Sequence, residues 1–203
     1  RFFAGAGPLG LSGSPERARR VLKDVFGYDE FRPPQDGIVQ HVCDGGDAFV
    51  LLPTGNGKSL CFQIPALVRG GTGLVVSPLI ALMDDQVAAL RENGVKAAAI
   101  HSGLDGRTSW RYERELEEGK LDLVYVAPER VLSERFQEVL KRTTLSVIAI
   151  DEAHCVSQWG HDFRPEYVQL GQLAELFPNV PRMALTATAD APTRTEIVEK
   201  LRL

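Results

Sequence analysis

At 203 residues, 44% of them hydrophobic and 25% charged, the chain has the composition of one well-buried globular domain, and its net charge of −4 gives no global pull toward nucleic acid. Any nucleic-acid binding must then come from a local basic and aromatic surface or from another part of the protein. No run reaches the roughly 18–20 apolar residues of a membrane helix, the start lacks a signal peptide's apolar stretch, and Cys43, Cys61 and Cys155 show no CxxC spacing. These features exclude a membrane span and a zinc or disulfide frame, and they leave reduced thiols in a cytoplasmic or, in a eukaryote, nuclear protein with no membrane partner.

Residues 1–13 are Gly-rich without a helical or strand period and read as a flexible arm. Ser14 and Pro15 then suit an N-cap and first helical position, and the helix they open is expected to stop at Gly27. From there apolar runs of strand length, 48–52, 73–76, 97–100, 121–126, 145–150 and 182–185, alternate with amphipathic segments such as 58–68, 79–93 and 168–177. The strand runs are rich in Val, Ile and Leu and nearly free of charge, as strands covered on both faces must be. Six such strands separated by helices predict an α/β fold: a doubly wound parallel sheet between two layers of helices, in one domain over 14–203.

The first strand runs into PTGNGKS. Gly55 and Gly57 let backbone amides wrap an anion, and the helix that follows favours phosphate at its N-terminus. Thr54, Gly55, Asn56, Gly57, Lys58 and Ser59 are therefore candidate nucleotide-binding residues, with Lys58 reaching the β- and γ-phosphates of ATP and the Ser59 hydroxyl on Mg²⁺. The strict pattern has Gly five positions before Gly57, where this chain has Leu52. The bland reading is a surface turn that happens to spell GKS; the strand–turn–helix context argues against it.

SVIAIDEAHC puts two acids at the end of the fifth strand run, and ligands of parallel sheets sit at strand carboxyl ends. Asp151 would hold Mg²⁺ through water and Glu152 would polarise the attacking water. The alternative is a helix N-terminus that prefers acids. His154 reads either as a core or capping histidine or as a link to a second site. Trp159, His161, Phe163, Arg164 and Tyr167, within SQWGHDFRPEY, offer rings and a guanidinium for stacking on unpaired bases; Trp159 and Phe163 could instead be core residues under a loop.

PTGNGKS, DEAH and ALTATA (184–189), in that order, resemble the successive motifs of superfamily 2 helicases. FGYDEFRPPQ resembles the adenine-recognising motif of RecQ helicases, and SQWGHDFRPEY is similar to their aromatic-rich loop. VVSPLIALMDDQV (75–87) and YVAPER (125–130) resemble two further motifs on the DNA side. The resemblance implies a RecA-like P-loop NTPase domain, ATP and Mg²⁺ as ligands, Gln35 on the adenine, and DNA as partner. It assigns the loop, with Gln158, to reporting DNA to Glu152 and His154, Thr186 and Thr188 to coupling hydrolysis to movement, and Ser77 and Gln86 to DNA contact. The plain alternatives are helix capping for the two threonines, helix-start and surface positions for Ser77 and Gln86, and a solvated charge for Arg32, which otherwise supports the nucleotide. Asn56 replaces the family's usual Gly and tolerates the left-handed backbone, so a modest effect on affinity is expected. The resemblance also implies 3′-to-5′ unwinding of DNA in repair or recombination. It further implies a second motor domain, with an arginine finger, outside this chain, so that this piece alone should turn over ATP very slowly. An RNA-directed DEAH helicase and a non-hydrolysing ATP-gated scaffold are the rival readings.

Overall fold

A computed structural model describes residues 14–53, 55 and 57–203. The expected arm, Thr54 and Asn56 lie outside the described residues. Along the chain run α1 (Ser14–Asp24), α2 (Gln35–Cys43), β1 (Ala48–Leu51), α3 (Leu60–Val68), β2 (Thr72–Val76), α4 (Ile80–Glu92) and β3 (Ala97–Ile100). There follow α5 (Gly106–Glu117), β4 (Leu123–Val126), α6 (Pro128–Val131), α7 (Glu134–Lys141) and β5 (Leu145–Ile150). A 3₁₀ turn (Ala153–Val156), α8 (Pro165–Gln169), a second 3₁₀ turn (Leu170–Gln172), α9 (Leu173–Leu176), β6 (Arg182–Thr186) and α10 (Ala191–Leu201) complete it.

The six strands form one all-parallel sheet in the order β1-β6-β5-β2-β4-β3. Residues of β2 to β5 are buried along their whole length, so the unbroken apolar runs reflect cover on both faces. The period of two sorts them. Val75, Ala97, Ala99, Leu123, Tyr125, Val147 and Ala149 face a core shared with α1 to α4, while Leu74, Val76, Ala98, Val124, Ile148 and Ile150 face one shared with α5, α7, α8 and α10. Local chemistry sets the helix ends. Asp105, Ser133 and Asp190 accept backbone N–H groups from Thr108, Phe136 and Thr193 at the starts of α5, α7 and α10, and Gly27 takes φ +77° past α1.

Several expected boundaries move: the strand expected over 121–126 starts at Leu123, and two further changes lie near the site. The helix after the phosphate loop starts at Leu60, two residues later than expected, because Lys58 and Ser59 belong to the turn that closes the loop. The helix expected over 168–177 starts earlier, at Pro165, and is broken into two short α segments joined by a 3₁₀ turn. Pro165 fits the first turn of a helix, where its missing N–H costs nothing.

β6 lies between β1 and β5, pairing with both. The phosphate-loop strand and the strand ending in DEAH are thus not neighbours; Thr186, the last residue of β6, sits between their carboxyl ends.

Candidate nucleotide site and adjoining loop

Leu52, where the strict phosphate-loop pattern has Gly, is buried and its N–H donates to Thr186 O at 3.2 Å. It extends the β1–β6 pairing by one residue before the loop turns away, so an extended apolar residue suits the place. Gly55 and Gly57 then adopt φ +88° and +74°, angles that side-chain-bearing residues seldom adopt. An added Cβ at Gly57 would also displace the Gln35 amide from its place against the loop. That amide is buried, donates to Gly57 O at 3.1 Å and accepts from Arg32 N–H at 2.8 Å. Gln35 thereby ties the FRPPQ segment to the phosphate loop.

Lys58 Nζ lies 3.5 Å from Asp151 Oδ1, across 93 residues of sequence by their numbers (151 − 58). Asp151 is buried; its Oδ1 also accepts Glu152 N–H at 2.9 Å, its N–H donates to Val76 O, and its carbonyl accepts the Tyr167 hydroxyl at 2.9 Å. The acid is thus fixed from the main chain outward. Glu152 has φ +54°, a left-handed conformation that costs a non-glycine residue about 1–2 kcal/mol. Such strain persists where the surroundings over-determine the backbone, and it concentrates at functional sites.

Gly55, Gly57, Lys58, Ser59, Asp151 and Glu152 line one cavity of about 490 Å³, with Arg32, Gln35 and Gln86. Its other end is walled by Leu22, Phe26 and Tyr28, an apolar surface of the kind a flat heterocycle needs. The sequence reading did not assign these three. Tyr28, half-exposed and seven residues before Gln35, was the available signal.

From Glu152 a chain of contacts leads away from the cavity. Glu152 Oε2 is 3.5 Å from His154 Nε2, and His154 Nδ1 is 2.8 Å from Thr186 Oγ1. The Thr186 hydroxyl also lies 3.2 Å from Thr188 O, so it joins His154 to the ALTATA segment, with the direction of the His154–Thr186 bond set by the ring's tautomer. Burial lowers the His154 pKa, with the Glu152 carboxylate opposing the shift. On the far side His161 stacks on His154, with centroids 5.2 Å apart. Beyond it Trp159 is 73% and Phe163 36% exposed. Gln158 N–H donates to Glu196 and the Arg164 guanidinium leans on Asp162 at 3.4 Å. Cys155 is buried beneath, its thiol on Asp162 at 3.7 Å and its pKa pushed up to about 12 by desolvation. No helix among the described residues is long and apolar enough to cross a membrane.

The family model for DEAD/DEAH box helicases matches residues 32–197. The chain belongs to the DEAD/DEAH box helicase family. It is 50% identical over 92% of its length to the ATP-dependent DNA helicase RecQ of Haemophilus influenzae, and covers 30% of that protein. It is 44% identical over 92% of its length to the RecQ of Bacillus subtilis, covering 32%, and to the DNA helicase Q5 of Mus musculus, covering 20%. The chain thus spans about a third or less of these relatives and is a helicase motor domain of the RecQ type. Among solved structures it matches the helicase MrfA bound to DNA (TM-score 0.73, 21% identity, 92% of this chain and 28% of that one). It also matches a hypothetical ATP-dependent RNA helicase of Sulfolobus tokodaii (TM-score 0.69, 22%, 92% and 54%). Both likenesses concern the fold.

Several residues of this helicase domain stand elsewhere than expected. Gln86, assigned to the DNA side, faces the nucleotide cavity, its amide 3.4 Å from Ser59 Oγ. The signal was present in its spacing: Gln86 lies in the stripe Met83, Val87, Leu90 that α4 buries, where a polar residue needs a reason. Ser77 is buried and its hydroxyl accepts Leu79 N–H, so it has no exposed face for DNA; Leu79 and Ile80 carry the exposed surface of that segment. Tyr167 is fully buried under Asp151 and offers no ring for stacking. Arg130 of YVAPER is held inward by Glu113 at 3.2 Å and by Ser109. Thr186 and Thr188 do not cap α10, a task Asp190 performs.

Proposed function

We propose that this domain binds ATP with Mg²⁺ and hydrolyses it, and that in the complete protein hydrolysis drives 3′-to-5′ translocation along DNA and its unwinding, in repair or recombination. The observation that carries the reading is the approach of Lys58 Nζ to within 3.5 Å of Asp151 Oδ1 in the cavity that also holds Glu152. Magnesium fits the donors on offer: the Ser59 hydroxyl and the Asp151 carboxylate give an all-oxygen set, and the carboxylate already faces a cation, the Lys58 ammonium. Ser59 and Asp151 would hold the ion, which would supply positive charge to offset the negative charge of the bound phosphates. Lys58, freed from Asp151, holds those phosphates with the amides of Thr54, Gly55, Asn56 and Gly57. Gln35 recognises the adenine and Arg32 supports it. Glu152 accepts the proton of the attacking water.

Trp159 and Phe163 are exposed apolar rings beside Arg164, a combination suited to stacking on unpaired bases. With Gln158 and His161 they form the DNA-sensing loop of the proposal, and His154, Thr186 and Thr188 carry its state to Glu152. A second motor domain, contributed by the rest of the protein, supplies an arginine worth about 10³–10⁵ in rate, so this domain alone hydrolyses ATP very slowly. The reading is tested by comparing DNA with RNA as stimulants of ATP turnover in the full-length protein and in its Lys58→Ala variant. The expected result is DNA stimulation that Lys58→Ala abolishes. Preferential stimulation by RNA would move the protein to the RNA-directed helicases, and absence of wild-type turnover would leave an ATP-gated scaffold.

A further inference from the structure

Around the nucleotide cavity, among the described residues, one polar side chain has a buried atom without a hydrogen-bond partner: Gln86 Oε1. The other end of the same amide, Nε2, donates to Ser59 Oγ at 3.4 Å. The backbone that carries it is fixed, because Met83 and Val87 on the same face of α4 are buried in the core shared with the phosphate-loop helix. The amide therefore moves by rotation about its own last torsion rather than by travel of the helix. A buried carbonyl oxygen with nothing to accept is costly unless another state of the site satisfies it.

The chemistry of a metal-bound hydroxyl identifies that state. A serine that gives an oxygen lone pair to a cation must send its own proton to an acceptor. As the side chains stand, Nε2 occupies the Ser59 oxygen. Turned about its last torsion, the amide presents Oε1 to the Ser59 proton and leaves the oxygen lone pairs free. We propose that Gln86 is a positioning residue for the metal–nucleotide complex: its amide turns to accept the Ser59 hydroxyl proton, orienting that oxygen toward the cation. The inference rests on the reading of Ser59 as the magnesium-side hydroxyl. It also gives α4 a part in the nucleotide site, while the start of the same helix exposes Leu79 and Ile80.

The test is binding of a fluorescent ADP to the full-length protein, without metal and across a Mg²⁺ titration, for wild type, Gln86→Met, Gln86→Glu and Ser59→Ala. Loss of a group that orients a metal ligand costs about 10–100-fold in metal affinity. Gln86→Met keeps the shape without the acceptor; it should raise the Mg²⁺ concentration for half-maximal tightening about tenfold and leave metal-free binding within about twofold. Gln86→Glu, which keeps an acceptor, should retain the Mg²⁺ response. A wild-type Mg²⁺ response in Gln86→Met, with Ser59→Ala impaired, overturns this inference alone. An equal fall of metal-free and metal-bound affinity in Gln86→Met overturns it as well, since the residue would then only support the loop. Ser59→Ala without effect on the Mg²⁺ response overturns both the inference and the reading it rests on.

Discussion

The nucleotide cavity and the loop after DEAH meet at Glu152, yet their side chains are held in opposite ways. On the cavity side, polar groups are committed to one another: Gln35 spans Gly57 and Arg32, Lys58 leans on Asp151, and Asp151 is held by Tyr167, Val76 and Glu152. On the loop side, two apolar rings are left open to solvent, Trp159 largely and Phe163 in part. Exposed aromatic surface is unfavourable unless something covers it, and committed hydrogen bonds keep catalytic groups in place at no cost during reaction. The contrast separates a cavity whose polar groups are tied to one another from a loop with exposed rings, the two halves of the proposed function. Between them His154 touches both, through Glu152 on one side and the His161 ring on the other.

The strongest way to break this contrast is Glu152→Gln. Removing a general base costs about 10²–10⁴ in turnover, so phosphate release by the full-length protein should fall at least 100-fold while fluorescent-ADP binding persists. Unchanged turnover would take the chemistry away from this acid. Next comes Trp159→Ala. A base–aromatic stack is worth about 1–3 kcal/mol, so anisotropy of labelled single-stranded DNA should report binding about tenfold or more weaker, with no shift in the thermal midpoint. Wild-type affinity would make the exposed indole irrelevant to DNA. Tyr167→Phe probes the opposite kind of aromatic. Loss of the buried bond to the Asp151 carbonyl should cost about 1–2 kcal/mol by denaturant unfolding, whereas Trp159→Ala should cost almost nothing. Equal costs for the two would erase the distinction. The smallest signal is a silence. All three cysteines are buried, and burial pushes Cys61 and Cys155 up to about 11 and about 12, so the thiolate needed for reaction is scarce at pH 8. A colorimetric thiol reagent should titrate almost nothing in the native protein and three thiols after denaturation; rapid native labelling of Cys155 would mean that the loop opens.

The sequence alone determined the layers of this protein and the chemical character of its cavity. Apolar runs of strand length, a Gly-rich turn before a helix and paired acids after a buried strand are local patterns, and backbone sterics and burial read them in the same way wherever they occur. What the tertiary structure decided is which way individual residues turn. Gln86 faces the phosphate-loop cavity because Met83 and Val87 fix the phase of α4, Tyr167 is core because Asp151 lies over it, and Ser77 is spent on its own helix start. Strand order decided the rest. β6 inserts between β1 and β5, and only that pairing brings Thr186 to His154, a contact between residues 32 apart that no spacing along the chain encodes.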